Sequence, residues 1–410
     1  MTAVLALSAF AECAPAAENP ASTAIADANN RFAFDLYRQL RHQRGNLFFS
    51  PFSISTALAM VHTGARGITA EEIASTIHLT DVEEIASTMH LADDETLATY
   101  ADLLADLTGQ SDSTTCRLEI ASRLWGRSGA HILDSYRTVM RDQYLAEMKT
   151  VNFEDAAGAR ARINEWVSER TSGKIEEIIA PGTIGPLTRL MLTNTIYFRG
   201  AWTKPFPEAA TVETVFKRSS STEVRVPTMR RTSEFAFAKV EGLSLIELPY
   251  KGDRLAMVIL LPDSTDGLPA LEARLSSARL DSCLASLRPT LVELLLPRFS
   301  TREVYDLIPL LNALGMRSAF VARVADFSGI DGGRDSLHID HVAQGAYMNV
   351  DEQGTEAAAA TLETLRTLGF TRKETQPKVF WVDHPFVFLI RDRLTGAILF
   401  LGRVVDPSAV

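Results

Sequence analysis

The side chains that most often carry chemistry form no familiar catalytic pattern in this sequence. His338 and His341 are the only closely spaced histidines, and the segment around them is too short and too mixed in character to form a helix that would align them. The motifs G-x-S-x-G, H-E-x-x-H, G-x-x-x-x-G-K-[ST], G-x-G-x-x-G and C-x-x-C are all absent. We therefore expect neither an enzyme nor a metal site.

The cysteines support the same expectation. Cys13, Cys116 and Cys283 are too few and too far apart for a disulfide framework or a structural zinc site. Cys116 and Cys283 are interpreted as small apolar side chains. No cofactor is predicted.

Composition limits the class of protein that can position any site. The chain has 410 residues, 46% hydrophobic and 22% charged, which is enough for a large core. No Pro/Gly/Ser-rich linker divides it, so one large domain is expected. The net charge is −10 and the basic residues are dispersed, which argues against a nucleic-acid partner. After the N-terminal segment no apolar run approaches about 20 residues, so no membrane span is expected.

Hydrophobic periodicity places helices first and strands later. Apolar residues at helical spacing predict helices within 23–43, 53–65 and 156–175. From about residue 190 strands dominate, with hairpins predicted at Lys251-Gly252-Asp253 and at Thr395-Gly396. This order indicates an α+β domain with antiparallel or mixed sheets.

The N-terminus leaves the compartment open. A short apolar run ends in Ala9-Phe10-Ala11, which resembles a signal-peptide cleavage site, but no basic residue precedes it. We expect residues 1–25 to be a flexible segment and the protein to be secreted or extracellular, with a cytoplasmic location as the alternative.

One stretch near the C-terminus conflicts with its neighbours. "GTEAAAATLETLRTLGF" at 354–370 favours a helix by propensity, yet β-rich segments flank it on both sides. Its side chains are small or polar, and Gly354 allows the chain to bend.

Several blocks of the sequence resemble serpins, the serine protease inhibitor family. They are "NLFFSPFSISTALAMVHTGARG" at 46–67, "LTNTIYFRGAWTKPF" at 192–206, "VDEQGTEAAAAT" at 350–361, "FWVDHPFVFLI" at 380–390 and "LFLGRVVDP" at 399–407. The resemblance implies a single domain over 26–410, with the serpin fold of three β-sheets and about eight or nine helices. It also implies an exposed reactive-centre loop at about 352–378.

In serpins the hinge of this loop enters the large sheet as a new strand after a protease cleaves the loop. The resemblance thus implies a serine-type endopeptidase inhibitor that acts as a suicide substrate. Alternation along the strand also points Glu363 toward the core, which leaves insertion beyond that residue open. The hinge residues so identified are Glu352, Gly354, Thr355, Glu356, Ala357, Ala358, Ala359, Ala360 and Thr361.

The family's spacing from the hinge glycine to the cleaved bond locates that bond. Counting from Gly354 places it at Leu368-Gly369, with Phe370 and then Arg366 as alternative positions. Leu368 implies serine proteases of apolar primary specificity, which are chymotrypsin-, elastase- or subtilisin-like. The expected product is a covalent 1:1 complex of a monomeric inhibitor.

Buried polar residues that must separate during insertion form what the family calls the shutter. The positions that match it are Asn46, Ser50, Ser53, Asn194 and Gln344, the last where many serpins carry histidine. Ser50 and Ser53 could instead only cap the helix after Pro51. Trp202 matches the tryptophan of the breach, the top of the sheet where insertion begins.

A second function stays open at this point. A serpin fold also serves as a carrier, chaperone or storage protein that traps no protease, and such members usually have bulky or charged hinges. From Gly354 to Thr361 this hinge has no bulky or proline side chain. The sequence therefore favours the inhibitor.

Overall fold

The computed structural model describes residues 20–80, 102–103, 105–107, 116–144, 146–355 and 376–409. The longer helices precede residue 190, and from residue 190 to 262 strands follow one another with no α-helix between them, so the predicted α+β class is confirmed. Within these ranges the α-helices are α1 (Pro20–Leu40), α2 (Pro51–His62), α3 (Gly67–Thr76), α4 (Asp134–Tyr144), α5 (Ala156–Arg170), α6 (Leu268–Arg274), α7 (Ser277–Leu284), α8 (Ile308–Ala313) and α9 (Ser328–Asp331). Short 3₁₀ turns lie at Glu208–Ala210 and Ser318–Phe320.

The strands of the described residues number fifteen. They are β1 (Leu47–Phe49), β2 (Cys116–Arg127), β3 (Glu147–Val151), β4 (Leu190–Ala201), β5 (Val212–Ser219), β6 (Thr222–Val240), β7 (Leu243–Pro249), β8 (Leu255–Pro262), β9 (Arg288–Pro297), β10 (Phe299–Asp306), β11 (Ile339–Val350), β12 (Gly354–Thr355), β13 (Lys378–Trp381), β14 (Phe386–Asp392) and β15 (Ile398–Val404). The predicted hairpins are confirmed between β7 and β8 and between β14 and β15.

The strands form two hydrogen-bonded sheets. One has six strands in the order β10-β11-β12-β4-β2-β3. The other has nine, in the order β1-β15-β14-β8-β7-β6-β9-β13, with β5 also paired to β6. The three sheets expected from the sequence appear as two because β6 is 19 residues long and pairs with β7 near one end and with β5 near the other.

The six-stranded sheet has a core on each face. The larger core includes Phe198 of β4 and Met348 of β11, together with residues of the nine-stranded sheet. A smaller core joins Trp166 and Val167 of α5 to residues of β4 and β11, including Met191. Because both faces are covered, β4 and β11 are largely buried, including polar residues such as Asn194 and Gln344.

The N-terminal helix begins before the predicted boundary of the flexible segment. α1 begins at Pro20, and Ala24 and Ile25 are buried in the larger core. The expected flexible segment 1–25 is therefore wrong for residues 20–25. Alanine is a strong helix former, and the burial of Ile25 adds packing that propensity alone does not predict.

Candidate functional site

The candidate site lies where the loop leaves the six-stranded sheet. Gly354 and Thr355 form β12, which pairs antiparallel with β11 through Val350 and with β4 through Gly200 and Ala201. Beyond β12, β4 and β11 pair directly with each other, in parallel, from Ile339 to Tyr347 of β11. Two residues of a strand are thus already seated between β4 and β11, at the end of a closed seam.

Close backbone contact requires glycine at position 354. A Cβ atom there would lie 2.0 Å from the carbonyl oxygen of Gly200, much closer than any real contact. Thr355 is fully buried, and its hydroxyl lies 2.7 Å from the hydroxyl of Tyr250. The hinge glycine is therefore needed for close approach to β4 as well as for the bend that the sequence suggested.

A tight turn over residues 351–354 leads into β12. The Asp351 carboxylate accepts hydrogen bonds from the backbone amides of Gln353, at 2.9 Å, and Gly354, at 3.2 Å. Burial raises the pKa of Asp351, and these two bonds act in the opposite direction. The carboxylate thus stabilises the turn that leads into β12.

Glu352 is a buried carboxylate that is bound by Thr211, just before β5, and by Arg298, just after β9. Arg298 donates two hydrogen bonds to its Oε1, at 2.8 and 2.6 Å, and the Thr211 hydroxyl donates to the same oxygen. Burial would raise the pKa of Glu352, but the bonds from Arg298 and Thr211 outweigh that effect and lower it. The charged form of Glu352 is therefore the stable one. Its hydrogen bonds connect the turn at 351–354 to residues that adjoin β5 and β9 of the nine-stranded sheet.

Trp202 donates two hydrogen bonds to the turn over residues 351–354. Its indole nitrogen donates to the carbonyl of Asp351 at 3.0 Å, and its backbone amide donates to the carbonyl of Gln353 at 2.9 Å. Its ring is stacked on Tyr250, with centroids 4.5 Å apart and planes at 14°. Trp202 and Tyr250 thus form a rigid, buried platform under the start of the loop.

Farther along the seam, Ser50, Ser53, Asn194 and Gln344 form one buried network, here called the shutter network. Gln344 donates to the Asn194 side-chain oxygen at 2.8 Å and exchanges two hydrogen bonds with the backbone of Ser50. Asn194 donates to the Ser53 hydroxyl and, at 2.8 Å, to Ser122. The network therefore joins β4 to β11 directly and joins both strands to α2.

The alternative role of Ser50 as a helix cap is also present. Its hydroxyl accepts from the Ser53 amide at 3.1 Å and donates to the Leu399 carbonyl of β15 at 2.6 Å. Capping and bridging therefore use the same side chain.

Asn46 lies outside the shutter network, which corrects its assignment. Its side chain donates to the Asp406 carbonyl at 2.8 Å and accepts from the backbone amides of Val405 and Asp406. It precedes β1, which pairs with β15, so the end of β15 is its neighbour rather than the seam between β4 and β11. Asn46 anchors the C-terminal segment.

Several predicted site residues lie outside the described residues. They are the hinge residues Glu356, Ala357, Ala358, Ala359, Ala360 and Thr361, and the bond residues Arg366, Leu368, Gly369 and Phe370. Their assignments stay predictions.

The sequence alone did not identify Arg298, Thr211, Tyr250 or Ser122 as parts of the site. Each bonds to a residue far away in the chain, and none stands in a motif. No local pattern in the sequence gave a signal for them, because each contact joins segments that are distant in the chain.

The remaining candidates for chemistry have structural contacts. His338 lies 3.2 Å from Asp340 in an ion-pair geometry, and Cys283 is a buried free cysteine whose pKa is raised by burial. No group of three or more His, Cys, Asp or Glu side chains suited to a metal occurs in the described ranges. A search of the same ranges also finds no helix both long and apolar enough to cross a membrane.

Comparisons with known proteins agree with this geometry. The family model described as "Serpin (serine protease inhibitor)" matches residues 27–407. An uncharacterized serpin-like protein of Thermococcus kodakarensis is 39% identical over 94% of this chain and 86% of its own length. The human leukocyte elastase inhibitor is 36% identical over 93% of this chain and 99% of its own.

A solved structure extends the likeness to three dimensions. The crystal structure of Serpin48 from the insect Tenebrio molitor is 31% identical, has a TM-score of 0.81, and aligns over 93% of this chain and 98% of that one. The fold is therefore the serpin fold. With β12 seated between β4 and β11 and a family match over almost its whole length, this chain belongs to the serpins, the serine protease inhibitor family.

Proposed function

We propose that this protein inhibits serine proteases as a suicide substrate. The protease serine attacks the carbonyl of the residue before the cleaved bond, an ester joins the two proteins, and the following residue leaves with a new amino terminus. The freed loop then inserts between β4 and β11. The tethered protease is carried along the sheet and its active site is distorted, so the ester is not hydrolysed.

The observation that carries this proposal is the register of β12. Thr355 lies opposite Gly200 of β4 and Val350 of β11, and those two strands run parallel to each other below it. If the strand continued in this register, each further loop residue would lie opposite the preceding residue of β4 and the preceding residue of β11. The pairs it would meet are the pairs that β4 and β11 now form with each other, so a single register serves both edges of the inserted strand.

That register explains why the hinge side chains are small. Position 357 would lie between Phe198 and Met348, and position 359 between Ile196 and Ala346. All four neighbours are fully buried in the larger core. Alanine adds little volume where the core is already filled, so the strand can enter with little rearrangement.

The same register places Thr361 at the shutter network. It would lie between Asn194 and Gln344, whose direct hydrogen bond must break when the strands separate by about 4.8 Å. A threonine hydroxyl both donates and accepts, so it can bond to the two amides that have lost each other. The exchange keeps buried polar groups paired, which lowers the cost of opening the sheet.

Insertion is favourable because it adds a central strand. Each backbone hydrogen bond contributes about 0.5–1.5 kcal/mol net, so about a dozen residues contribute roughly 10 kcal/mol. Trapping also requires only a modest distortion of the protease, since loss of a single oxyanion-hole donor slows the reaction about 10²- to 10³-fold. The uncleaved form is therefore metastable.

We infer an apolar primary specificity from Leu368, with cleavage between Leu368 and Gly369. A relative named leukocyte elastase inhibitor supports an elastase-like target among the chymotrypsin-, elastase- and subtilisin-like enzymes. The proposed complex is covalent and contains one inhibitor monomer and one protease.

Incubation with a panel of serine proteases tests the proposal. We expect complexes that survive SDS with proteases of apolar specificity, and a released C-terminal fragment that begins at Gly369 by mass spectrometry. A fragment that begins at Thr367 would indicate cleavage after Arg366 and a trypsin-like target, and one that begins at Thr371 would indicate Phe370. Cleavage without any complex would support the carrier, chaperone or storage role instead.

Thermal unfolding supplies an independent test. The loop-cleaved form should melt about 12 °C above the uncleaved form when roughly 10 kcal/mol is gained on insertion into this 410-residue chain. Ala359→Arg should fold normally yet be cleaved as a substrate, because a charge would have to enter the core between Ile196 and Ala346. Continued trapping by that variant would contradict the register.

Secretion is part of the proposal but rests on residues outside the described ranges. The motif Ala9-Phe10-Ala11 predicts removal of the N-terminal segment. Expression in the native host, followed by N-terminal sequencing of the protein in the medium, tests it. Retention of the full-length chain inside the cells would favour the cytoplasmic alternative.

A further inference from the structure

The end of the seam that lies farthest from the hinge contains an irregularity in β11. Ile339 of β11 lies opposite Leu190, the first residue of β4, and His341 lies opposite Met191. Asp340 is therefore the extra residue of a β-bulge. A bulge changes the direction of a side chain, and here it lets the carboxylate face the backbone of β4.

The Asp340 carboxylate crosses the seam to main-chain groups. Its Oδ2 accepts hydrogen bonds from the backbone amides of Arg189, at 2.6 Å, and Leu190, at 3.2 Å. The carbonyl of Arg189 in turn accepts from the backbone amide of Arg127, the last residue of β2, at 3.1 Å. The carboxylate therefore binds β11 to the paired strands β4 and β2 at this end of the sheet.

His338 holds the second oxygen of the same carboxylate. Its Nε2 lies 3.2 Å from Oδ1 of Asp340, and the two side chains are only 17% and 19% exposed. Hydrogen bonds to a charged group are strong in such partly desolvated positions. Asp340, His338 and the amides of Arg189 and Leu190 are here called the far-end latch.

A strand that enters the whole seam must break the far-end latch. It would separate β4 from β11 by about 4.8 Å, which takes Oδ2 of Asp340 out of hydrogen-bond reach of both amides. Continued along the loop, the register of β12 places positions 365 and 366 opposite Leu190 and Arg189. Only a strand that extends this far brings backbone carbonyls to the two amides in exchange.

We propose that Asp340 controls the last step of loop insertion, a role that rests on the proposed function. A strand can pass the shutter network while the far-end latch is closed, but the places opposite Leu190 and Arg189 fill only after the latch opens. Opening exchanges two charge-assisted hydrogen bonds for the backbone ladder of the inserted strand. Asp340 is thus a positioning residue that keeps the uncleaved sheet closed at its far end.

Uptake of synthetic loop peptides by the uncleaved protein tests this role without a protease. Two fluorescein-labelled peptides, with the sequences of residues 356–366 and 356–362, begin after Thr355 because β12 already occupies that place. In the register of β12 the longer peptide reaches Arg189, and the shorter one stops opposite Thr193. Fluorescence anisotropy measures the rate at which each peptide is taken up.

Asp340→Ala should accelerate uptake of the longer peptide at least about tenfold, the effect expected when a hydrogen bond to a charged acceptor is lost. Uptake of the shorter peptide should not change. Asp340→Asn keeps an acceptor oxygen without the charge and should give an intermediate rate. Asp335→Ala is the matched control, because Asp335 also accepts from a backbone amide, at 2.8 Å, but from His131, which lies between β2 and α4. It should take up both peptides at the wild-type rate.

Thermal unfolding distinguishes the latch from a general loss of stability. Asp340→Ala should lower the Tm of the uncleaved protein and leave the Tm of the loop-cleaved protein unchanged, because the inserted strand already separates Asp340 from β4. An equal decrease in both forms would show a purely structural role and overturn the proposal. Equal acceleration of both peptides, or unchanged uptake of the longer one, would also overturn it.

Failure of the proposed function gives a different result. A protein that takes up the longer peptide faster as Asp340→Ala, yet forms no complex with any protease, would contradict trapping and retain the latch. A protein that takes up neither peptide, as wild type or as Asp340→Ala, would contradict insertion and therefore both proposals.

Discussion

Replacing Glu363 by glutamine is expected to stabilise the loop-cleaved form and to leave the uncleaved form unchanged. The pairing of Thr355 with Gly200 and Val350, continued along the loop, places Glu363 between Leu192 and Val342 on the core side of the sheet. Both neighbours are 1% exposed. An inserted carboxyl at this position would have apolar neighbours on both strands.

The magnitude follows from the pKa of a buried carboxyl group. Burial without a partner raises such a pKa by about 3 units, which corresponds to about 4 kcal/mol. A carboxyl with a raised pKa in the inserted state destabilises that state above the raised pKa, and the cost disappears as the pH falls below about 4.3. The Glu363→Gln variant should therefore gain about 4 kcal/mol at pH 8 and almost nothing at pH 4.

Calorimetric melting of the cleaved proteins measures this difference. For a chain of 410 residues, 4 kcal/mol corresponds to about 5 °C in Tm. Glu356→Gln is the matched control, because residue 356 follows Thr355 directly and would face away from the core in an extended strand. Equal melting temperatures of cleaved wild type and Glu363→Gln at pH 8 would refute the register or show that insertion stops earlier.

Three further perturbations test individual contacts. Arg298→Gln should lower the free energy of unfolding by about 1–2 kcal/mol in urea, since it leaves the buried Glu352 carboxylate without its cation, although Arg298 itself is partly exposed; unchanged stability would mean that solvent replaces the pair. Gly354→Ala should expel β12, because the new Cβ would meet the Gly200 carbonyl oxygen, and hydrogen exchange at Thr355 should become fast; retained protection would contradict this. Burial raises the pKa of Glu303 to about 7, so unfolding free energy should fall as pH rises from 4.5 to 7, by about 1–2 kcal/mol after solvent screening, and Glu303→Gln should remove that slope.

Local patterns in the sequence were sufficient for the elements and the fold class. Apolar residues at helical spacing predicted α1, α2 and α5 to within a few residues, and Gly252 and Gly396 marked two hairpins that the structure contains. These features depend on contacts between residues close in the chain, where periodicity and turn chemistry act directly. The resemblance also pointed to Ser50, Ser53, Asn194 and Gln344, which the structure joins in one hydrogen-bonded network, while their role as a shutter stays a prediction.

The wrong assignment of Asn46 and the failure to identify residues such as Arg298 and Thr211 have the same cause. Asn46 is the first residue of a matching block, yet its side chain bonds to the segment that follows β15 rather than to the seam between β4 and β11. A polar side chain in a matching block is therefore not enough to assign a role.

Only the tertiary structure decided how the hinge is held. Gly354 is required because the backbone of β4 approaches it, and Glu352 is stable as a charged group because Arg298 reaches it from another part of the chain. The sequence by itself determined which segments form helices and strands and which segment is small enough to insert between strands. The packing of the two sheets determined which distant side chains meet, since such contacts depend on three-dimensional placement and leave no periodic signal along the chain.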